Sequence, residues 1–423
     1  MAQLTDDCFA FSGPLLPIEE MERLIEQRVA PVTETETVAL TDAYARVLAQ
    51  DIVAPVSLPP YDNSAVDGYA VRHADLNAVG DTALKVVSRV LAGSRASTAV
   101  EKGQAVRIFT GAPMPQGADT VFMQEDVQVE GDTVRVPKGL KLGANRRFAG
   151  EDVRAGAVAL PAGRVLDVQH IALASALGLT ELPVRRRIRV AVFSTGDELV
   201  EPGGTLSGAK IYDANRALLR EMLGRMGCTV TDLGILRDDK ASLTAAFRSA
   251  AARHDVVLSS GGVSTGEADY VRQVVEDIGK LVFWRVAIKP GRPVAMGVIH
   301  GGAGSDAAFI GLPGNPVAAF VTFARVVRPL ILRMAGALPP KFMPLPVIAA
   351  FDYKKKKGRR EYIRVSLRQG ADGNYEAVNH PQDGAGILSS LTDTDGLIEV
   401  PDDVTHIAPG ERVGFLSYGS LIG

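Results

Sequence analysis

Across residues 187–334, short runs rich in β-branched residues alternate with amphipathic helical stretches. Strands spaced this way are joined by crossover connections, which forces a largely parallel sheet covered by helices on both faces. The expected strands are 188–193, 229–236, 256–258, 281–288, 294–299 and 308–310. Asp213 should cap a helix carrying Leu218, Leu219, Met222 and Met226 and closed by Gly227; Leu243, Ala246, Phe247 and Ala250 mark a second. Val271, Val274, Val275 and Ile278 form the stripe of a third, and Asn315 caps a fourth that Pro316 begins.

Polar clusters fall just after these strands: Thr195-Gly196-Asp197-Glu198, Asp238-Asp239 and the stretch from Gly261 to Asp269. In an open α/β sheet the carboxyl ends of the strands lie along one edge, where ligands bind. The glycine turn at Gly261-Gly262, between a buried strand and a helix, leaves backbone N–H groups converging on one spot, as a phosphate requires. Ser259, Ser260, Ser264 and Thr265 add hydroxyls there. Taken singly, Asp197, Asp238 and Asp269 read equally well as helix caps and loop acids. With Lys289 and Arg292 at another strand end, the set matches phosphoanhydride chemistry: carboxylates for a divalent ion, cations for anionic oxygens.

Residues 15–30 read as helical, and a second short helix is expected over 42–50 after Thr41. Residues 54–146 read as a small β domain, with a hairpin over 127–136 turning at Gly131-Asp132. Helical pattern returns over 165–177, with Asp167 as cap and Gly178 as terminator, so 1–53 and 147–180 are expected to form one mainly helical domain interrupted by the β insertion. The α/β domain then covers 181–334, and 335–423 reads as a compact β-barrel or sandwich. The fold class is thus α/β and β multidomain: one three-layer α/β domain, two small β domains and a helical N-terminal domain. Lys354 to Arg360, KKKKGRR, reads as a solvated hairpin loop. Were it to face the α/β site, Arg360 would be the oxyanion contact.

A net charge of −3 over 423 residues argues against a nucleic-acid binder. Cys8 and Cys228 are far apart and form no zinc or disulfide pattern, which points to a reducing, cytoplasmic compartment. The opening MAQLTDDCFAFSG has neither a basic segment nor an apolar core, so no signal peptide is expected. The uncharged run 307–324 is broken by Gly-Leu-Pro-Gly-Asn-Pro and reads as strand, turn and buried helix, not a membrane span.

Seven motifs, in order, resemble the molybdopterin molybdotransferase family, the MoeA and gephyrin E-domain proteins. They are Pro59-Pro60-Tyr61-Asp62-Asn63-Ser64-Ala65-Val66-Asp67-Gly68-Tyr69-Ala70, Thr110-Gly111-Ala112, Gly150-Glu151-Asp152, Thr195-Gly196-Asp197-Glu198-Leu199, Ser260-Gly261-Gly262-Val263-Ser264, Lys289-Pro290-Gly291-Arg292-Pro293 and Gly311-Leu312-Pro313-Gly314-Asn315-Pro316. The resemblance implies an elongated four-domain subunit that forms a homodimer, each cleft lying between the α/β domain of one chain and the N-terminal and β domains of the other. It implies a Mg2+-dependent transferase of molybdenum cofactor biosynthesis. Molybdate is inserted into adenylylated molybdopterin, with release of AMP. Glu198, Asp238 and Asp269 would hold the metal ion. Thr195, Gly196, Gly261, Gly262, Ser264, Pro313, Gly314 and Asn315 would cradle the phosphate and pterin end. Lys289, Arg292, Arg360 and Ser389 would hold molybdate. Asp67, Thr110 and Asp152 would act with Asp238, Asp269 and Lys289 in catalysis, reaching in from the partner. Contacts with a molybdopterin adenylyltransferase and with molybdoenzyme chaperones are implied as well. Three positions depart from the pattern: Val66 for a common methionine, Arg292 for a frequent lysine and Ala385 for a frequent serine.

Other readings compete at the same glycines. Glu267 and Ala268 stand where a P-loop needs Lys and Ser/Thr, which removes the charge that would neutralise the terminal phosphates. The fingerprint-like Gly302-Ala303-Gly304-Ser305-Asp306-Ala307 opens no helix. Gly262-Val263-Ser264-Thr265-Gly266 fits a nucleophile elbow, leaving a serine hydrolase at Ser264 with His300, His380 or His406 as an alternative. A scaffold of the gephyrin type is the alternative from a non-enzymatic class.

Overall fold

The computed structural model describes residues 4, 15–94, 98–261, 270–291, 293–302, 306–339 and 343–422. The chain divides into two compact units, one of Met1–Ala49, Gly163–Asp167 and Pro183–Gly423, the other of Gln50–Ala162 and Val168–Leu182.

Helix α1, Ile18–Arg28, buries Ile18, Met21, Leu24 and Ile25 on one stripe. The helix expected over 42–50 is absent. Only a 3-10 turn, Leu40–Asp42, forms, and Ala45 takes φ +57°. The backbone there bonds instead to the returning strand-like segment, Ala45 N–H to Leu166 O and Leu48 N–H to Arg164 O. Long-range pairing has overridden a weak local propensity.

The second unit holds a six-stranded sheet of β1 (Gly68–Val71), β2 (Thr82–Val90), β3 (Gln104–Ile108), β4 (Thr120–Met123), β5 (Gln128–Glu130) and β6 (Thr133–Val136), in the order β4-β1-β3-β2-β6-β5. Alternation along β1 sends Ala70 to one core with Val106, Ile108 and Val121, and Tyr69 and Val71 to another with Phe122, Val134 and Val136. The β5–β6 pair is the hairpin expected at Gly131-Asp132. Helix α2, Val168–Ala176, ends before Gly178, whose φ is +80°.

In the first unit, β7 (Arg189–Thr195), β8 (Thr229–Leu236), β9 (Val256–Ser260), β10 (Gly279–Arg285), β12 (Pro293–His300) and β13 (Asp306–Leu312) form a sheet in the order β8-β7-β9-β13-β12-β10. The first four in that order are mutually parallel, while β12 alone runs the other way, pairing antiparallel with both β13 and the edge strand β10. The 285–293 connection is too short for a crossover helix, so antiparallel pairing follows. The period of two along β7 is decisive for the layers. Val190 and Val192 face a core built with α3 (Ala214–Arg225) and the helical run that starts at α6 (Pro316–Thr322) and continues through the π-helical Phe323–Val327. Ala191 and Phe193 face α4 (Lys240–Ala251) and α5 (Tyr270–Ile278), where Phe193, Phe247 and Phe309 stack.

A two-residue strand, β11 (Ile288–Lys289), leaves this domain and pairs with β15 (Arg360–Gln369) of the C-terminal segment. Strands β14 (Leu345–Ala349), β15, β16 (Tyr375–Asn379), β17 (Gly396–Val400) and β18 (Arg412–Ser417) close into a ring, β15-β16-β14-β18-β17 and back to β15. Val347, Ile363, Val365, Ala377, Ile398 and Phe415 fill it. No helix among the described residues is long and apolar enough to cross a membrane.

Candidate active site

The carboxyl ends of β7, β9 and β13 converge at one edge of the α/β sheet. Gly261 takes φ +84°, and a Cβ there would sit 3.1 Å from Thr195 O, so only glycine lets the turn after β9 lie this close to β7. Its N–H donates to Leu312 O at 3.1 Å, tying β9 to β13. Ser194 and Thr195 are buried at the end of β7, and their hydroxyls find no partner among the described residues. Buried unpaired hydroxyls are costly, and strand alternation turns these two to opposite faces of the sheet.

Asn215, in the first turn of α3, is the positioning residue that sequence reasoning missed. Its Nδ2 donates to Ser260 Oγ at 2.9 Å and to Gly314 O at 2.7 Å, joining the turn after β9 to the Pro313-Gly314-Asn315 turn after β13. Asp213 caps α3 by accepting from Arg216 N–H, and the buried Arg216 guanidinium collects Asp213, Asp232 and Glu201. The whole first turn of α3 is thereby locked under the sheet edge.

At the ends of β7 and β8 stand Asp197, Glu198 and Asp238. Burial raises the Asp238 carboxyl above the ordinary aspartate range, and the charges of Asp197, Asp239 and Glu198 push the same way. The Glu198 carboxylate folds back over Gly196, within 2.9 Å of where a Cβ would sit. Mutually repelling oxygen donors of this kind suit a hard divalent cation. Among the described residues, however, no three carboxylates, histidines or cysteines converge as a metal cluster. Gly262, Ser264, Asp269 and Arg292 lie outside the described residues.

Lys289 faces a different hollow, a cavity of about 630 Å³ between the α/β domain and the barrel. Its wall includes Pro313, Asn315, Tyr353, Arg359, Arg364, His380, Asp383 and Ala385. Register explains the pairing here: β11 places Ile288 opposite Arg360 and Lys289 opposite Glu361. Lys289 Nζ donates to Glu361 Oε2 at 3.1 Å; Tyr353 Oη donates to the same oxygen at 2.6 Å, and Arg359 Nε to Oε1 at 2.8 Å. Burial works to raise the Glu361 carboxyl, but these three donors outweigh it and hold the group below the usual carboxylate range. Arg364 donates to Gln382 O at 2.9 Å and so fixes the Gln382–Ala385 loop; Ala385 O in turn accepts from Val317 N–H at the start of α6.

Two expected oxyanion contacts are not in this cavity. Strand alternation sends Arg359 and Glu361 to one side of the chain and Arg360 to the other, where Arg360 meets Glu19, Glu399 and Asp402 at 2.7, 3.1 and 3.3 Å. Arg359 and Arg364 take its place. Ser389 is exposed at the start of a short helix, outside the cavity wall. Among the described residues, the wall of this cavity includes Lys289 but neither Glu198 nor Asp238. The two acids follow β7 and β8 at one end of the sheet order, while Lys289 sits in the link between β10 and β12 at the other, and the turn after β13 stands between.

In the second unit, Asp67 Oδ1 accepts from both N–H and Oγ1 of Thr110 at 2.8 Å, which holds its carboxyl below the ordinary range. Asp152 is exposed on the loop whose N–H donates to Leu58 O.

Three family descriptions match the chain in succession. MoeA N-terminal region (domain I and II) covers residues 16–178, probable molybdopterin binding domain covers 191–333, and MoeA C-terminal region (domain IV) covers 346–418. A molybdopterin molybdenumtransferase of Haemophilus influenzae is 38% identical, over 95% of this chain and 98% of its own length. One of the same name from Nostoc is 38% identical, over 90% and 88%. The crystal structure of a molybdopterin biosynthesis moeA protein from Pyrococcus horikoshii superposes with a TM-score of 0.77 at 31% identity, covering 96% of this chain and 100% of that one.

Proposed function

The chain belongs to the MoeA family of molybdopterin molybdenumtransferases, and from that premise we propose that it inserts molybdate into adenylylated molybdopterin, releasing AMP. It is a transferase of molybdenum cofactor biosynthesis. The observation that carries the oxyanion half of the reaction is the cavity in which Lys289, Arg359 and Arg364 share one wall. Three cations at one opening fit a tetrahedral dianion.

The phosphate end of the substrate rests at the sheet edge, against the Thr195-Gly196 and Ser260-Gly261 turns, which Gly262 and Ser264 follow in sequence. The unpartnered hydroxyl of Thr195, the residue nearest Gly261, supports that placement. Glu198 and Asp238, joined by Asp269, would hold Mg2+, which when bound neutralises phosphoanhydride oxygens. Lys289, with Arg292 nearby in sequence, orients molybdate toward the Pro313–Asn315 turn, which borders both hollows. In a homodimer, Asp67, Thr110 and Asp152 of the partner subunit complete the cleft; Thr110 keeps the Asp67 carboxylate ionised and aimed. A cytoplasmic location goes with this pathway step.

The hydrolase reading at Ser264 is not favoured, since each of the three candidate histidines is engaged elsewhere among the described residues. His300 pairs with Asp306 at 2.9 Å at the start of β13, the opposite edge of the sheet from Gly261. His380 bonds Gln382 O, and His406 pairs with Asp352 in the barrel. The test is incubation of the full chain with adenylylated molybdopterin, molybdate and Mg2+, following AMP release and activation of an apo-molybdoenzyme. Release of AMP that requires molybdate and yields active cofactor is expected. Tight binding to a protein partner with no AMP released would instead support a scaffold.

A further inference from the structure

Behind the cavity wall at Lys289 lies a negative charge that an anion site would do better without on simple attraction. Glu361 is 1% exposed and is not itself part of the cavity wall, yet its carboxylate bonds two of the cations that are. It is not an isolated structural salt bridge. Its two oxygens are shared out, Oε2 to Lys289 Nζ and Tyr353 Oη, Oε1 to Arg359 Nε. Two of the three cations in the wall are therefore pinned to opposite oxygens of one carboxylate, while Arg364 is pinned separately through Gln382 O.

We propose that Glu361 is a positioning residue that sets the size preference of the oxyanion pocket. The inference rests on the reading of this cavity as the molybdate site. Because Lys289 and Arg359 are tethered to the same carboxylate, the separation of their remaining N–H donors is fixed. A small tetrahedral dianion such as sulfate can touch both only by moving toward Glu361, whose like charge opposes it. A larger oxyanion spans the two donors from farther out and meets less of that repulsion. Attraction alone would favour any dianion; the buried carboxylate supplies the unfavourable element that specificity needs. Ala385, on the same cavity wall, adds no bulk that would narrow the opening. The carboxylate thus trades affinity for discrimination, and removing it should strengthen binding of the wrong anion more than that of the right one.

The experiment is equilibrium dialysis of the full chain against molybdate, with sulfate as competitor, for the wild type, Glu361→Gln, Glu361→Asp and Lys289→Met. Glu361→Gln keeps shape and acceptor capacity but removes the charge. Its expected result is retained molybdate binding with sulfate competing about tenfold more effectively. Sulfate competition unchanged within twofold, or equal loss of both anions, overturns the proposal, because a merely structural glutamate would move both together. Should Glu361→Gln not fold, Glu361→Asp keeps the charge but draws the two donors inward by one methylene. It should lower the molybdate-over-sulfate preference by roughly threefold, and an unchanged preference again overturns the idea. The site reading fails separately: a wild-type chain that retains no molybdate, or Lys289→Met retaining as much as wild type, removes the pocket itself and with it the role of Glu361.

Discussion

Replacing Asn215 by Asp changes one atom and inverts the chemistry at the join between two site turns. The amide Nδ2 now donates to Ser260 Oγ and Gly314 O at 2.9 and 2.7 Å, in a position 8% exposed. A carboxylate cannot donate to either. The Ser260 hydroxyl can rotate to donate instead, so that bond is largely recovered, but the Gly314 carbonyl is left facing another oxygen. An unsatisfied buried carbonyl costs about 1–3 kcal/mol, and burying the new charge beside it brings the expected total to about 3–5 kcal/mol. For a domain of this size that corresponds to a fall in melting temperature of roughly 10 °C or more. The sign of the pH dependence follows. Burial and the facing carbonyl push the new carboxyl above the ordinary aspartate range, so the deficit is full at neutral pH. It shrinks as pH falls through that raised value, because the protonated acid can again donate one bond. Differential scanning calorimetry of Asn215→Asp against wild type from pH 5 to 8, with AMP release assayed in parallel, checks it. A variant melting within 2 °C of wild type at neutral pH, or a deficit that does not narrow toward pH 5, would refute the assignment of Asn215 as the link between the turns.

Lys289→Met should weaken molybdate retention by about tenfold or more while leaving the melting temperature nearly unchanged, since the lysine side chain is 44% exposed; dialysis and a melt separate the two. Asp238→Asn relieves repulsion with Asp197, Asp239 and Glu198, so without metal it should be as stable as wild type or more so. It should also lose most of the Mg2+-induced rise in melting temperature, read by thermal shift across a Mg2+ titration. Asp255→Asn leaves Arg186 without its paired carboxylate contacts at 2.7 and 2.9 Å, a loss of about 2–3 kcal/mol measurable by urea unfolding. Burial works to raise the Asp255 carboxyl, but the bonds from Arg186 and Arg189 prevail and hold it low. Its stabilisation is therefore present above the ordinary aspartate pKa and disappears as pH falls through the depressed one, so the gap between wild type and Asp255→Asn should close in acid.

The sheet was legible because its signals are local. Val190/Val192 and Ala191/Phe193 announce two buried faces through period-two alternation alone, and Asp213 caps α3 as its spacing suggests. Three of the seven motifs, those starting at Thr195, Ser260 and Gly311, then marked turns at the sheet edge. What could not be read depended on register between distant segments. In Lys354 to Arg360 nothing local decides whether Arg359 or Arg360 faces the cavity; the β11–β15 pairing decides it, and that pairing involves only two residues. Glu361, in a run of basic residues, reads as a surface counter-charge, although it is the least solvated group of its cluster in bonding terms, with three donors on two oxygens. Asn215 carries no signal beyond standing next to a helix cap. The antiparallel edge was accessible in principle, since the link from β10 to β12 leaves no room for a crossover.

The clasp between β11 and β15 has a consequence for how the protein is made. Lys289 leaves the ribosome 72 residues before the glutamate that will hold it. Until the barrel closes, the nascent α/β domain displays an unmatched lysine beside a half-built hollow, and neither half is yet an anion receptor. Translation that stops short of the barrel would therefore release a folded sheet with a basic scar, unable to choose among the cell's oxyanions. On the proposed role of Glu361, selectivity would be the last property this polypeptide acquires.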